Sequence, residues 1–259
     1  MTKLTVPVLV INLDRSPERM TAVAKNLTAL ELPFVRIPAI DGANESDEVL
    51  YKNYSAVKNI KEHYRPLKRG EIACYLSHRK ACEYIIKNKL DCALVLEDDA
   101  ILNLEANEFL KKAALTYKHW DIVKLFYGAY QKKTAPITTL PLTKDNGFAL
   151  WKKVPTSTMA QLISYEGAKK IIELSNNFGR PIDLDMRSWW LHNLKIFNVI
   201  KPLVSNTGAA SDIEMVSGKR KVKDYPRLKK IFLRLKFSFG WLTHQIPASW
   251  MEPVRKELD

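Results

Sequence analysis

The sequence predicts an open α/β fold, a mostly parallel sheet flanked by helices on both faces. Two observations carry this expectation. Short runs of β-forming residues alternate with helical patterning through the first half of the 259-residue chain, an order that favours strand–helix–strand units. One run, Ala93-Leu-Val-Leu-Glu-Asp-Asp-Ala100, breaks off in three carboxylates. In such folds ligands bind beyond the carboxyl ends of the strands.

Residues 6–11 (Val-Pro-Val-Leu-Val-Ile) form the first expected strand, and Asn12-Leu-Asp-Arg15 the turn after it. Ser16 is expected as an N-cap with Pro17 at the first helical position. Met20, Val23, Ala24, Leu27 and Leu30 then recur at helical spacing. Phe34–Ile37 reads as the next strand and Asp41-Gly42 as a turn. Residues 43–68 are polar, rich in Lys, Asn and Tyr, and read as a mobile excursion beside the site. Helical patterning resumes after Gly70, with Ile72, Tyr75, Leu76, Cys82, Ile85 and Ile86 apolar. The strand at 93–97, a helix near 105–117 and a strand at 121–127 follow.

The second half is less regular. Residues 134–155 read as loops or short strands, 158–164 as a strand, 165–174 as a helix and 194–204 as a strand pair. Asp183, Asp185, Trp189, Trp190 and His192 cluster between them. The character changes at Lys219: residues 219–236 hold nine Lys or Arg against Asp224 alone. Leu228, Ile231, Phe232, Leu235, Phe239 and Trp241 interleave with these bases. The expected organisation is one α/β domain over residues 1–215 and a basic amphipathic extension over 216–259.

The net charge of +13 points to an anionic partner such as nucleic acid, anionic lipid or an acidic glycan. The charge gathers at one end, and no nucleic-acid motif accompanies it. Three cysteines, Cys74, Cys82 and Cys92, without CxxC spacing argue against a disulfide framework or a zinc site. On one helix Cys74 and Cys82 would stand about 12 Å apart, too far for a disulfide. The run at 6–11 is too short for a signal-peptide core, and no apolar stretch approaches the length of a membrane span. A cytoplasmic protein is expected.

Glu97 and Asp99, at i and i+2 of an extended run, are expected to share one face while Asp98 points away. Two convergent carboxylates suit Mg²⁺ or Mn²⁺, and through it the phosphates of a nucleotide. Asp98 then reads as a structural hydrogen-bond acceptor or as a contact to the bound nucleotide. Arg15 and Arg19 follow the first strand, where an arginine fork suits phosphate. The helix start after Ser16 adds partial positive charge. The amide of Asn12 suits a base or ribose edge, and Asp41 a nucleoside. Ser77 and His78 fall in mid-helix on the less apolar face, and Trp189 and Trp190 offer stacking surfaces for sugar rings.

Several patterns also fall in one order: Val10-Ile-Asn-Leu-Asp-Arg15 with Arg19, Ala39-Ile-Asp-Gly42, Glu71-Ile-Ala-Cys-Tyr-Leu-Ser-His78, Leu96-Glu-Asp-Asp99, Gln161-Leu-Ile-Ser-Tyr-Glu-Gly-Ala168, Pro181-Ile-Asp183 and Ser211-Asp-Ile213. This set resembles glycosyltransferase family 25, the lipooligosaccharide galactosyltransferases and their collagen-modifying relatives. Ala73-Cys74 stands where many relatives have Gly-Cys, a change conservative in size.

The resemblance implies a GT-A-like, Rossmann-type fold. It implies transfer of a hexose, most often galactose, from a UDP-sugar with inversion, onto a lipid-linked lipooligosaccharide or lipopolysaccharide core. It further implies Asp99 as first metal ligand with Glu97 second, and His78 near the donor. Inversion needs a base for the acceptor hydroxyl, and Asp183, with Asp185 beside it, is the candidate. The basic tail would then hold the enzyme at the anionic inner face of the cytoplasmic membrane. Three other readings remain at this point: a nucleic-acid-binding protein, a non-catalytic sugar-nucleotide-binding module and a metal-dependent phosphatase.

Overall fold

A computed structural model of the chain describes residues 6–128, 135–206 and 227–259. The sheet begins with β1 (Val8–Asn12), whose five residues are all buried, as its unbroken apolar run demands. Pro17 opens α1 (Pro17–Ala29), with Val23 and Leu27 facing the core. Ser16 holds the N-cap position without a side-chain cap bond. β2 (Phe34–Pro38) returns beside β1 in parallel register.

Residues 43–68, expected as a mobile excursion, instead fold into α2 (Asp47–Tyr51) and α3 (Ala56–Glu62), capped by the hydroxyls of Ser46 and Ser55. Neither helix is long enough to display an apolar period. α3 is held by polar bonds, with the Asn59 amide donating to the carbonyls of Arg65 and Gly179 at 2.9 and 2.7 Å. Next comes α4 (Arg69–Lys87), which carries both Cys74 and Cys82; all three cysteines are free. The Glu71 carboxylate anchors its first turn, accepting from the Lys68 N–H at 3.0 Å and from both terminal nitrogens of buried Arg65 at 2.6 and 2.5 Å. Asp41-Gly42 passes so close to this helix start that a Cβ on Gly42 would lie 2.8 Å from the Arg69 backbone.

β3 (Cys92–Glu97) is followed by β4 (Ala100–Leu102), α5 (Ala106–Leu115) and β5 (Ile122–Lys124). The 134–155 region supplies a hairpin, β6 (Thr138–Pro141) and β7 (Gly147–Leu150). β8 (Ala160–Ser164) runs directly into α6 (Tyr165–Ser175), which packs along α4. α7 (Ile182–Arg187), β9 (Ile196–Val199) and β10 (Val204–Asn206) complete the body.

The large sheet has the order β2-β1-β3-β8-β5-β9-β7-β6, and β10 pairs with β4 in a separate ribbon. β2, β1, β3, β5, β9 and β6 run one way, so the α/β sheet flanked by helices is present; β8 and β7 run against it. β8 passes into α6 without a loop, so α6 begins at the edge opposite the carboxyl ends of β3 and β5. The chain winds outward from β1 to β2 and then crosses back to β3 on the other side of β1. That reversal opens a crevice between the carboxyl ends of β1 and β3.

Two C-terminal helices follow, α8 (Arg227–Thr243) and α9 (Met251–Leu258). Trp190 stacks on His244 with centroids 5.8 Å apart, and Trp189 meets Trp250 edge-on at 5.1 Å. Gly240 lies against the Trp190 indole, where a Cβ would sit 2.8 Å from the ring. The two tryptophans, readable from the sequence as sugar-stacking surfaces or as buried packing, thus pack against the C-terminal segment. No helix among the described residues is long and apolar enough to cross a membrane. The expected boundary at 215/216, the basic residues 219–226 and the Ser211-Asp-Ile213 motif lie outside the described residues.

Candidate functional site

The crevice between β1 and β3 is a pocket lined by the turn after β1, the 39–42 loop, one face of α4 and Glu97–Asp99. It collects Asn12, Arg15, Arg19, Asp41, Ser77, His78, Glu97, Asp98 and Asp99 around one space.

Several of these side chains are committed to the protein itself. The Asn12 amide donates to Asp98 Oδ2 at 2.7 Å and to the Ser16 carbonyl at 2.9 Å, while its oxygen accepts from Arg36 Nε at 2.9 Å. Both its N–H groups are therefore engaged, and Asn12 is a strut rather than the open edge expected for a base. Asp98 also pairs with Arg19 at 2.6 Å. Arg15 pairs with Asp41 at 3.1 Å, and Asp41 closes its own turn by accepting from the Ala43 N–H at 3.0 Å. Ser77 accepts from the Ile40 N–H at 2.9 Å, tying the 39–42 loop to α4.

The acidic triplet does not continue the strand. β3 ends at Glu97, and residues 98–99 form a turn before β4. The alternation expected to converge Glu97 and Asp99 on one face therefore stops at Glu97. Each acid turns to a different neighbour: Glu97 to His78, Asp98 to Asn12 and Arg19, Asp99 to Asn206.

Glu97 Oε1 lies 3.0 Å from His78 Nε2 and accepts from the Thr158 hydroxyl at 2.6 Å. Burial pushes the Glu97 carboxyl up, but the hydrogen bond and charge of His78, with Thr158 and Arg19, outweigh it and hold it below the usual range. Asp99 is the opposite case, raised by burial and then by the like charge of Glu97. Its Oδ2 accepts from the Asn206 amide at 3.0 Å, whereas its Oδ1 is buried with no hydrogen-bond partner. A buried, unpartnered carboxylate oxygen is costly unless a cation or donor completes it. The residues present therefore fit a hard divalent ion at Asp99.

A second constellation adjoins the first through the segment Ser157-Thr158-Met159. Lys124, at the end of β5, is buried. Its ammonium donates to the Ser157 carbonyl at 2.6 Å. Burial pulls this lysine down to about 8, against the opposing pull of Asp183 and Glu97. The Asp183 carboxylate, at the start of α7, accepts from the Leu184 N–H at 2.9 Å and from the Ser157 N–H. Burial raises the Asp183 carboxyl; Lys124 and these N–H groups pull against it. Ser157 thus presents its N–H to the acid and its carbonyl to the base, and does so with φ of 98°, a conformation costly for a residue with a Cβ.

Asp185, grouped with Asp183 from the sequence, has a different setting. It is fully buried, with Oδ1 accepting from Arg180 Nε at 2.7 Å and Oδ2 from the Tyr75 hydroxyl at 3.0 Å. Burial and full pairing give it a structural role in place of the catalytic one expected. Lys124, Thr158 and Cys74 escaped the sequence reading. The one signal for Lys124 was a lysine inside an otherwise apolar strand, Asp121-Ile-Val-Lys-Leu-Phe-Tyr127.

Comparison with known proteins adds a family. Residues 5–186 match the model of glycosyltransferase family 25 (LPS biosynthesis protein). The chain is 28% identical over 236 residues to a probable inactive glycosyltransferase 25 family member 3 of Rattus norvegicus, covering 81% of this chain and 40% of the relative. It is 27% identical over 188 residues to procollagen galactosyltransferase 2 of Homo sapiens, covering 69% of this chain and 29% of the relative. The chain thus spans less than half the length of these relatives. Among solved structures, galactosyltransferase LgtC with donor and acceptor sugar analogs superposes with a TM-score of 0.40 at 12% identity, over 95% of this chain and 99% of that one.

Proposed function

The chain belongs to glycosyltransferase family 25, and from that premise we propose that it transfers a hexose from a UDP-sugar, with inversion, to a lipid-linked oligosaccharide. The observation that carries this reading is the unpartnered Asp99 Oδ1 at the mouth of β3, beside a pocket bordered by Arg15 and Arg19.

In this reading the diphosphate lies over the turn after β1. Asp99 would hold Mn²⁺ or Mg²⁺, which supplies Lewis-acid neutralisation of the departing diphosphate. The helix start after Ser16 and the two arginines add positive charge on the same side. Asp183 takes the proton from the acceptor hydroxyl. That oxygen forms its bond to the anomeric carbon as the bond to the diphosphate breaks and UDP leaves. Lys124 and the Ser157 N–H hold the Asp183 carboxylate ionised and aimed. Burial supplies the opposing push that keeps it basic enough to act.

The lipid-linked acceptor and the membrane surface have their own support. On α8, Leu228, Ile231, Phe232, Leu235, Phe239 and Leu242 recur at helical spacing and all face solvent, with Leu228 83% and Phe232 64% exposed. Arg227, Lys229, Lys230, Arg234 and Lys236 flank them. An apolar stripe edged with bases suits the interface of an anionic leaflet. On this reading the protein works from the cytoplasm, at the inner face of the membrane.

The test is a donor screen with UDP-galactose, UDP-glucose and UDP-N-acetylhexosamines and Mn²⁺, read as UDP release on wild type and Asp183→Asn. Turnover lost in the variant with UDP affinity retained is expected; unaltered turnover would remove Asp183 from the mechanism. UDP binding without turnover on any donor would favour a non-catalytic sugar-nucleotide-binding protein.

A further inference from the structure

We propose that Cys74, His78 and Glu97 form a second cation site, one for a thiophilic divalent ion of the zinc class, whose occupancy shuts the pocket to the sugar nucleotide. Cys74 and His78 stand one helical turn apart on α4, so their side chains share a face. Glu97 reaches the same face from the end of β3. One ligand atom from each, sulfur, imidazole nitrogen and carboxylate oxygen, lies within 4.8 Å of the others, the only such group among the described residues.

The donor set differs in kind from that at Asp99. A lone carboxylate oxygen suits Mg²⁺ or Mn²⁺, whereas sulfur with imidazole and one carboxylate selects zinc-class ions. Three protein ligands leave a fourth position, and all three residues line the pocket proposed for the donor. An ion bound here therefore opens toward that pocket. Loading releases the Cys74 thiol proton to solvent, and the sulfur donates its electron pair to the ion. The Nε2 proton that His78 directs at Glu97 leaves for solvent as well, which frees the Nε2 lone pair for the metal, and the ring keeps one proton on Nδ1. That Nδ1 is buried without a partner, so the site lacks the second-shell acceptor that usually tightens a histidine ligand. Three protein ligands and an untethered imidazole make the site exchangeable, suited to reversible inhibition rather than permanent structure.

The metal binding stands apart from the proposed transfer reaction; only the competition with UDP rests on it. The full chain is titrated with Co²⁺ as a spectroscopic stand-in for Zn²⁺. An intense near-ultraviolet sulfur-to-cobalt charge-transfer band is expected, bleached by Zn²⁺ and unaffected by Mg²⁺. Cys74→Ser, which keeps Cys82 and Cys92, should abolish the band and weaken Zn²⁺ binding by at least about 100-fold, since loss of an outer-shell partner alone costs 10–100-fold. No band in wild type, or a band surviving Cys74→Ser, overturns the site. Should that variant fail to fold, alkylation of wild-type Cys74, mapped by peptide mass, decides: slowed by Zn²⁺ but not Mg²⁺ supports the site, and equal rates overturn it. Zn²⁺ that binds without weakening UDP binding overturns the competition. UDP that fails to bind even without Zn²⁺ overturns the donor reading and leaves the ion site standing.

Discussion

Replacing Lys124 with Met removes a charge that the fold holds at a cost, and the cost has a measurable pH signature. The lysine titrates at about 8 in the native protein against 10.5 for the free side chain. A gap of that size corresponds to about 3 kcal/mol at neutral pH. Between these two values the unfolded chain keeps a proton that the native protein has released, so native stability rises with pH across that window. The slope approaches ~1.4 kcal/mol per pH unit. By about pH 9.5 the wild type should have gained about 2 kcal/mol over its value near pH 7.5 from this group alone. Lys124→Met lacks the gain, while thiols and tyrosines that titrate in the same window are common to both proteins and cancel. Urea unfolding of both at the two pH values gives the difference of differences. A value near zero refutes a depressed lysine. The same substitution takes the counter-charge from Asp183, so the acidic limb of kcat/KM should move to higher pH, because the base must still lose its proton to act. An unmoved limb refutes the link between Lys124 and Asp183.

Asp99→Asn should remove the gain that Mn²⁺ gives to UDP affinity, by about tenfold or more; calorimetry showing the same Mn²⁺ dependence as wild type would exclude Asp99 as its ligand. Glu71→Gln breaks a buried pair with Arg65, whose side chains are 5% and 3% exposed. It should lower unfolding free energy by about 3–5 kcal/mol, and a urea midpoint within error of wild type would refute that value. Ile231→Glu with Phe232→Glu alters two exposed positions on α8. Sedimentation with anionic vesicles should fall while the melting temperature holds, and undiminished sedimentation would exclude this stripe from the membrane contact.

The strands were legible where burial is complete. Val8–Ile11 and Cys92–Leu96 are buried throughout, so these runs are apolar without a break and do not show the alternation of an amphipathic helix. The alternation of strands and helices pointed to the carboxyl ends of the strands, and the strand order seen in the structure locates the crevice between β1 and β3. The reversed β8 was not legible, because a buried strand reads the same in either direction and its direction shows only in its pairing with β3 and β5. The 43–68 segment was hidden for a different reason: Asn59, Arg65 and Glu71 stabilise it through polar bonds, which leave no periodic trace. At the site, the resemblance put Asp183 first as base with Asp185 beside it, and residue type alone says nothing of how differently the two are held. The separation comes from Arg180 and Tyr75, which claim Asp185 from elsewhere in the fold. Lys124 was overlooked because one charge in an apolar run carries no pattern, only an exception to one.

Three consecutive residues join the pocket wall at Glu97 to the neighbouring Asp183–Lys124 pair. Ser157 grips Asp183 and Lys124 through its backbone, Thr158 grips Glu97 through its hydroxyl, and the Met159 carbonyl accepts from the Glu97 N–H at 2.8 Å. A shift of this tripeptide moves both together. On the proposed reading, attempts to re-engineer which sugar is given and which sugar receives it would therefore not be independent exercises. A substitution selected for a new donor near Glu97 would travel through 157–159 and disturb the geometry facing the acceptor, and the reverse would hold. The separable handles lie on the far wall, in the 39–42 loop hung from Ser77, where a change can reshape one end of the pocket and leave the tether at rest.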